Sequence, residues 1–356
     1  MITSRHRTNI RSHESVVLYP SVGSLDESQA YWRLWIQGAV FDTGEVNFRK
    51  RLMINLLRRV MDVDPTQLNS PVFQDRIRGF LAEPERGKRV LIRCGKRTYA
   101  LPRKTKKNGQ FSAVLKIPRD AVEASISERP WQLGRGGGSC VLSMQLALGE
   151  GDFREISGEI HLLQPQGLSV ISDIDDTIKE SVVTSRRELL ANTFLRKFRD
   201  VPGMADLYRD WADEGAAFHY VSSSPWQLFD PLVDFQEELF PDGSFHLRSF
   251  RLRDHMLRRL LLRRPGKSVV VRRLVASFPE RKFVLVGDSG EKDLDIYARV
   301  ARRYPEQVER ILIRELPNRP VRFEKVARGI SPQTLQIFHD PSELPRALGQ
   351  IATSTC

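Results

Sequence analysis

The apolar positions of this 356-residue chain change their rhythm near residue 165. Ahead of it the apolar runs are short and bounded by Gly, Pro and Asn: VLIRCG at 90–95, RTYALP at 97–102 and FSAVLKIP at 111–118, then Ser139–Leu148 and Ile156–Leu163. Runs of this length and punctuation predict antiparallel strands. Trp32–Phe41, WRLWIQGAVF, alternates in part and predicts another. Arg49–Val63 sets Leu52, Leu56, Leu57 and Val60 at helical spacing with basic residues opposite, and Val72–Phe80 predicts a second helical piece. Beyond residue 165 the elements lengthen and alternate. A buried strand opens at Leu168, helices follow over Leu189–Phe198 and Pro202–Glu214, and strands over Ala216–Val221 and Phe245–Phe250. Val269–Phe278 predicts a helix ended by Pro279, Lys282–Val286 a strand, Asp293–Tyr304 a helix and Arg310–Arg314 a fifth strand. Alternation of this kind predicts a doubly wound parallel sheet.

The chain is long for one core, so two domains are expected. Residues 1–14 are read as a disordered N-terminus, 15–164 as a mainly β accessory domain with a helical insertion, and 165–350 as the α/β catalytic domain, with Pro165, Gln166 and Gly167 at the boundary. With 40% apolar and 28% charged residues the composition is that of a soluble globular protein. No apolar run is long enough to span a membrane, and MITSRHRTNIRSHE has no apolar signal region, which makes the cytoplasm the expected location. Cys94, Cys140 and Cys356 fit no zinc spacing and are read as free thiols. The Gly-rich run at Gly134–Gly138 lacks the spacing and the Lys-Ser/Thr of a phosphate-binding loop, and is read as a plain loop.

Candidate chemistry concentrates at Leu168–Thr177, LSVISDIDDT, where a buried strand runs straight into Asp173, Asp175 and Asp176. The carboxyl end of a central parallel strand is where ligands collect. Carboxylates this close raise one another's pKa unless a cation neutralises them, and hard oxygen ligands there suit Mg²⁺. Asp173 to Thr177 matches the DxDxT signature of the haloacid dehalogenase (HAD) phosphatases. Three further stretches resemble the motifs that accompany it. Ser222, with Ser223 as alternative, follows the strand Ala217–Val221; Lys267 precedes a helix among Arg263, Arg264, Arg272 and Arg273; and FVLVGDSGEKD at 283–293 places Gly287, Asp288 and Asp293 in a GDxxxxD arrangement.

The wording of these stretches resembles one family more closely. DIDDTIKES, Pro202–Met204, FHYVSSSPWQL, FPDGS and LVGDSGEKDLDIY are similar to the catalytic domain of the actin-patch phosphatidate phosphatase family and its bacterial members, over roughly Leu168 to Glu315. The resemblance implies an HAD-like (Rossmannoid) doubly wound sheet, minimally capped, behind a β-rich N-terminal domain of unclear role. It implies Mg²⁺-dependent hydrolysis of phosphatidic acid to diacylglycerol, with Asp173 attacking phosphorus to form an aspartyl-phosphate and Asp175 working as acid and base. Ser222, Ser223, Thr177 and Lys267 would hold the phosphate. Asp173, Asp288, Asp293 and Asp175, the last through its backbone carbonyl, would serve the metal, with Asp293 orienting rather than reacting. The arginine-rich stretch ahead of Lys267 departs from the family pattern.

A net charge of +12 and a pI near 9.8 point to an anionic partner. Within Arg251–Arg273, HMLRRLLLRR would place Leu257, Leu260 and Leu261 beside Arg258, Arg259 and Arg263 on a helix, which suits either an anionic membrane surface or an ordinary solvated face. The alternatives are a phosphatase for another phosphomonoester, whether soluble, protein-borne or a nucleic-acid end, and a basic nucleic-acid-binding protein. No zinc finger, aromatic RNA motif or basic repeat supports the last, so no nucleic-acid partner is expected.

Overall fold

The structure is a computed structural model and describes residues 7–44, 48–127, 139–183, 185–248, 266–317, 319–321, 329–347 and 349. The N-terminal region runs β1 (Ser15–Leu18), β2 (Ser21–Leu25), β3 (Tyr31–Asp42), α1 (Phe48–Met61), α2 (Pro71–Leu81), β4 (Glu83–Pro84), β5 (Leu91–Cys94), β6 (Arg97–Ala100), β7 (Gln110–Pro118), α3 (Arg119–Ser127), β8 (Ser139–Leu146) and β9 (Ser157–Leu163). These strands form one sheet, antiparallel except where β2 meets β9. Its spine is β3, which pairs with β7 from Tyr31 opposite Pro118 to Ala39 opposite Gln110. The helical insertion expected between strands is α1 and α2. Ser70 starts α2, its hydroxyl accepting from the Phe73 N–H, and Pro71 occupies the first turn where its missing N–H costs nothing.

The second region alternates: β10 (Leu168–Ser172), α4 (Arg186–Phe194), α5 (Met204–Asp213), β11 (Ala217–Pro225), α6 (Phe229–Leu239), β12 (Gly243–Arg248), α7 (Gly266–Ser277), β13 (Lys282–Asp288), α8 (Asp293–Arg303), β14 (Val308–Arg314) and β15 (Leu335–Phe338). All its pairings are parallel, in the order β12-β11-β10-β13-β14-β15. The order reverses direction at β10, the switch point where a doubly wound sheet leaves a crevice at its carboxyl edge.

Period-2 alternation sorts the side chains between two buried faces. Val170, Phe218, Tyr220, Val284 and Val286 face α4, α5 and α6; Ile171, Ala217, Val221, Phe283 and Leu285 face α7 and α8. Each fully buried aliphatic or aromatic side chain contributes roughly 1.5–3 kcal/mol relative to exposure, so this two-sided core dominates the stability of the sheet.

The hydrophobic clusters cross the boundary at residue 165. Leu57, Met61, Phe73, Ile77 and Phe80 of the insertion share one cluster with Phe194 and Tyr208, while Val22 and Trp35 join the cluster around Ile171. Arg76 donates to the carbonyls of Asn192 (3.0 Å) and Thr193 (2.6 Å), capping α4, and lies 3.6 Å from the Phe198 ring centroid.

The sequence reading is corrected in several places. Residues 7–14, read within the disordered N-terminus, are packed: Ile10 is buried and buried Glu14 forms an ion pair with Lys88, because that carboxylate has a cation to meet. Helix α4 starts at Arg186 rather than Leu189, since the Ser185 hydroxyl accepts from Glu188 N–H and fixes the start. Helices α3 and α6 and strand β15 had no counterpart among the predicted elements. The segments Gly134–Gly138 and HMLRRLLLRR, with Arg263, Arg264 and the stretch 251–265, lie outside the described residues. Cys94 and Cys140 are free thiols. Among the described residues no helix is long and apolar enough to cross a membrane.

Candidate active site

The β10 ladder runs one residue past the strand, the Asp173 N–H donating to Val286 O at 2.9 Å, and this delivers the Asp173 carboxylate to the switch point with no exposed surface. The Tyr208 hydroxyl donates to Ser172 Oγ (2.8 Å), which donates to Asp173 O (2.6 Å), so α5 braces the strand end. Lys267, in the first turn of α7, places Nζ 2.6 Å from Asp173 Oδ1 and 2.5 Å from Asp293 Oδ1. Of the candidate cations in its stretch, Lys267 reaches the carboxylates, whereas Arg272 and Arg273 are exposed.

Strand β13 supplies Asp288. Its Oδ1 accepts from the N–H groups of Gly290 (2.6 Å) and Glu291 (3.0 Å), while buried Oδ2 has no hydrogen-bond partner among the described residues. Glycine at 287 is required by close approach: a Cβ there would stand 2.4 Å from Asp293 Oδ2 and 2.7 Å from its Cβ. Oxygens of Asp173, Asp288 and Asp293 lie within 4.8 Å of one another, all buried.

One lysine cannot neutralise three buried carboxylates. Burial, partly offset by Lys267, and the carboxylates of Asp293, Glu291 and Asp288 hold the Asp173 pKa well above the usual range; burial and the carboxylates of Asp293, Glu291 and Asp176, again partly offset by Lys267, raise that of Asp288. Burial disfavours the Lys267 charge, but Asp173 and Asp293 outweigh it and keep the ammonium protonated. The orphaned Asp288 oxygen, the converging hard donors and the excess negative charge together fit a divalent cation of the Mg²⁺ type.

Asp175 stands outside this cluster. Its Oδ1 meets Lys179 Nζ (2.8 Å) and accepts from Ser181 Oγ (2.7 Å); its Oδ2 accepts from Ser222 Oγ (3.1 Å) and Ser224 Oγ (2.7 Å). Burial alone would raise its pKa, but the Lys179 charge and these hydrogen bonds win and hold it well below the usual range. Lys179, 2% exposed and 4.7 Å from the Phe198 ring, is a site residue the sequence reading missed; the signal available was its place in DIDDTIKES.

Asp176, the third acid of the opening motif, serves the backbone. It sits at φ 59°, left-handed, and accepts from the N–H groups of Ser181 (2.7 Å), Val182 (2.8 Å) and Val183 (2.7 Å), tying the loop behind the site. Thr177 is buried with its hydroxyl 3.4 Å from Asp173 Oδ2. Of the two candidate serines, Ser222 donates to Asp175 and accepts from Ser224 N–H (2.8 Å), while Ser223 donates to Glu291 Oε2 (2.9 Å), a second acid the sequence reading missed.

This geometry defines a class: a parallel α/β protein with a buried carboxylate–lysine centre at its switch point. Residues 168–315 match the family described as "Phosphatidate phosphatase APP1, catalytic domain", so the resemblance carried by the motifs holds over the span they occupy. The chain is 35% identical to the phosphatidate phosphatase APP1 of Saccharomyces cerevisiae over 156 residues, which is 43% of this chain and 26% of that protein. It is 34% identical to an uncharacterized protein of Schizosaccharomyces pombe over 163 residues, 44% of this chain and 27% of that one. The chain thus spans about a quarter of the length of these curated relatives.

Proposed function

We propose that the protein is a Mg²⁺-dependent phosphatidate phosphatase of HAD-like fold, hydrolysing phosphatidic acid to diacylglycerol and phosphate through an aspartyl-phosphate on Asp173. The observation that carries this reading is the buried Asp173 carboxylate, ion-paired to Lys267 beside Asp288 and Asp293, within the stretch that matches the phosphatidate phosphatase catalytic domain.

In the first half-reaction an Asp173 oxygen forms the new bond to phosphorus as the bond from phosphorus to the glycerol oxygen breaks, and Asp175 takes up the proton that the phosphomonoester carries as its monoanion and passes it to the leaving oxygen. In the second, Asp175 takes a proton from water, the water oxygen bonds to phosphorus, and the Asp173–phosphate bond breaks. The resting network around Asp175 favours its ionised form, the form the second half-reaction uses. Lys267 offsets charge on Asp173 and on an incoming phosphate. Ser222 and Ser223 offer hydroxyls at the end of β11, and Thr177 positions Asp173. Asp173, Asp288 and Asp293 would hold Mg²⁺, whose charge shields phosphate oxygens from the carboxylates and stabilises charge developing on them.

Phosphate release from phosphatidate in mixed micelles and from p-nitrophenyl phosphate, with and without Mg²⁺, tests the reading. Mg²⁺-dependent release, faster from phosphatidate, supports it; release from the aryl ester alone moves the substrate elsewhere among phosphomonoesters.

A further inference from the structure

An opening beside the site is not enclosed by the parallel sheet alone. A cavity of about 730 Å³, within the size range of small-molecule sites, lies between the two regions of the chain. Its catalytic side carries Ser222, Ser223 and Lys267, so the opening is continuous with the groups assigned to phosphate. Its opposite side belongs to the N-terminal sheet, with Gln37 of β3, Ser112 of β7 and Lys106 from the turn before β7.

This second wall is fixed rather than loosely apposed. Gln37 and Ser112 are direct partners in the β3–β7 ladder, so they present to one face. Gln37 Nε2 meets His246 Nδ1 at 3.2 Å; His246 Nε2 meets Ser244 Oγ at 3.0 Å, and Ser244 Oγ meets His219 Nδ1 at 2.7 Å. With Gln37 donating, the tautomers follow in one direction, each ring donating or accepting in turn. Burial lowers the pKa of both histidines, so the chain carries no charge and joins the β wall to β11 and β12 by neutral hydrogen bonds. Arg273 adds a second tie, stacked 3.9 Å from the Trp35 ring centroid.

We infer that the N-terminal β region is the second wall of the substrate site, and that the cavity between Ser112 and Lys267 receives the alcohol portion of a phosphomonoester with a bulky, ester-bearing, partly apolar alcohol, as in an acylglycerol. The inference deepens the proposed function and rests on it. The lining suits such a group. Val269 and Val270 supply apolar surface, Ser112 keeps the β wall narrow enough to leave the cavity open, and the exposed Lys106 ammonium supplies a donor for ester carbonyls or neighbouring anionic headgroups. Lys106 is held in place by its turn: its N–H donates to Gln110 O (2.9 Å) and its carbonyl accepts from Gly109 N–H (2.9 Å).

The test measures kcat/KM with Mg²⁺ for phosphatidate in mixed micelles, dodecyl phosphate and p-nitrophenyl phosphate, in wild type, Ser112→Trp, Ser112→Ala and Lys106→Met. Filling the cavity from the β wall in Ser112→Trp is expected to lower the ratio of bulky-ester to aryl-ester kcat/KM at least about tenfold, the scale set by losing about 1.4 kcal/mol of selective contact, while Ser112→Ala keeps the ratio. Lys106→Met is expected to lower the phosphatidate ratio and spare the dodecyl ratio, because the dodecyl chain has no ester carbonyl. Equal losses on every substrate, or an unchanged ratio in Ser112→Trp, overturn the inference. If wild type hydrolyses dodecyl and aryl phosphates but not phosphatidate, the lipid reading falls and Ser112→Trp still decides whether the β region walls the site.

Discussion

The ion pair between Lys179 and Asp175 offers a quantitative test of how the site is built. Both side chains are buried, 2% and 10% exposed, with 2.8 Å between Nζ and Oδ1. Replacing Lys179 by Met keeps most of the apolar stem and deletes the charge. Breaking a buried pair from one side costs about 3–5 kcal/mol, because the remaining charge is left in a poorly solvating interior. Ser181, Ser222 and Ser224 continue to donate to the carboxylate, which places the ion-pair loss near the lower end, about 3 kcal/mol. Loss of the ammonium 4.7 Å from the Phe198 ring adds up to about 1 kcal/mol. The expected total is a destabilisation of roughly 3–4 kcal/mol. Removing both charges, in Lys179→Met with Asp175→Asn, should restore much of it, giving a coupling energy of about 2 kcal/mol or more. Urea unfolding followed by tryptophan fluorescence, at neutral pH with chelator, measures each corner of the cycle. A single-variant loss below about 1 kcal/mol, or a coupling within about 0.5 kcal/mol of zero, would refute the reasoning. With Lys179 gone the Asp175 pKa should rise, so any limb of the kcat/KM profile that requires the ionised form should move to higher pH.

Asp288→Asn removes one of the mutually repelling carboxylates. The metal-free variant is expected to be more stable than metal-free wild type, while thermal stabilisation by added Mg²⁺ is lost; a variant that Mg²⁺ still stabilises as it does wild type would contradict the assignment. Because burial raises the folded pKa values of Asp173 and Asp288 above their unfolded values, the stability of metal-free wild type should be greatest at low pH with respect to these groups and fall as pH rises, a dependence Mg²⁺ should suppress. Burial lowers His161 to about 4, so its contribution is present above its unfolded value near 6.5 and is lost as pH falls toward 4, by roughly 3 kcal/mol; His161→Gln should flatten that limb of an acid-unfolding series. Gly287→Ala should displace Asp293, since the added Cβ would meet its carboxylate at 2.4 Å, and lower kcat by tenfold or more while circular dichroism stays native, on the scale of about 1.4 kcal/mol per factor of ten.

The catalytic half was legible because its signals are local. A buried run ending in acid marks β10 and β13 each as a strand that delivers its carboxylate to the carboxyl edge of the sheet, and their parallel pairing in the structure sets Asp173 and Asp288 side by side there. Spacing alone carried Asp293, one turn of chain beyond Asp288. Other features depend on contacts between distant segments, which no local pattern reports. The helix α6 carries Pro231, which reads as a breaker yet sits harmlessly in the first turn. The pairing of Lys179 with Asp175 needs the loop that Asp176 ties back at a left-handed φ. Strand β15 is four residues long, too short for periodicity to speak. The N-terminal region was the least readable, because its packing against the catalytic sheet is made by Tyr19, Trp35 and Phe73, scattered over elements whose own patterns report only strand and helix.

The nucleophile is the centre of the account, and trapping it is the direct measurement. Protein mixed with ³²P-phosphatidate and Mg²⁺ is quenched in acid within one turnover, and label retained on the chain is mapped by peptide. The account predicts an acid-stable, hydroxylamine-labile phosphoryl group on the peptide bearing Asp173, absent from Asp173→Asn, which also releases no phosphate while keeping its fold. Phosphate release by Asp173→Asn at the wild-type rate, or label on another residue, would contradict it.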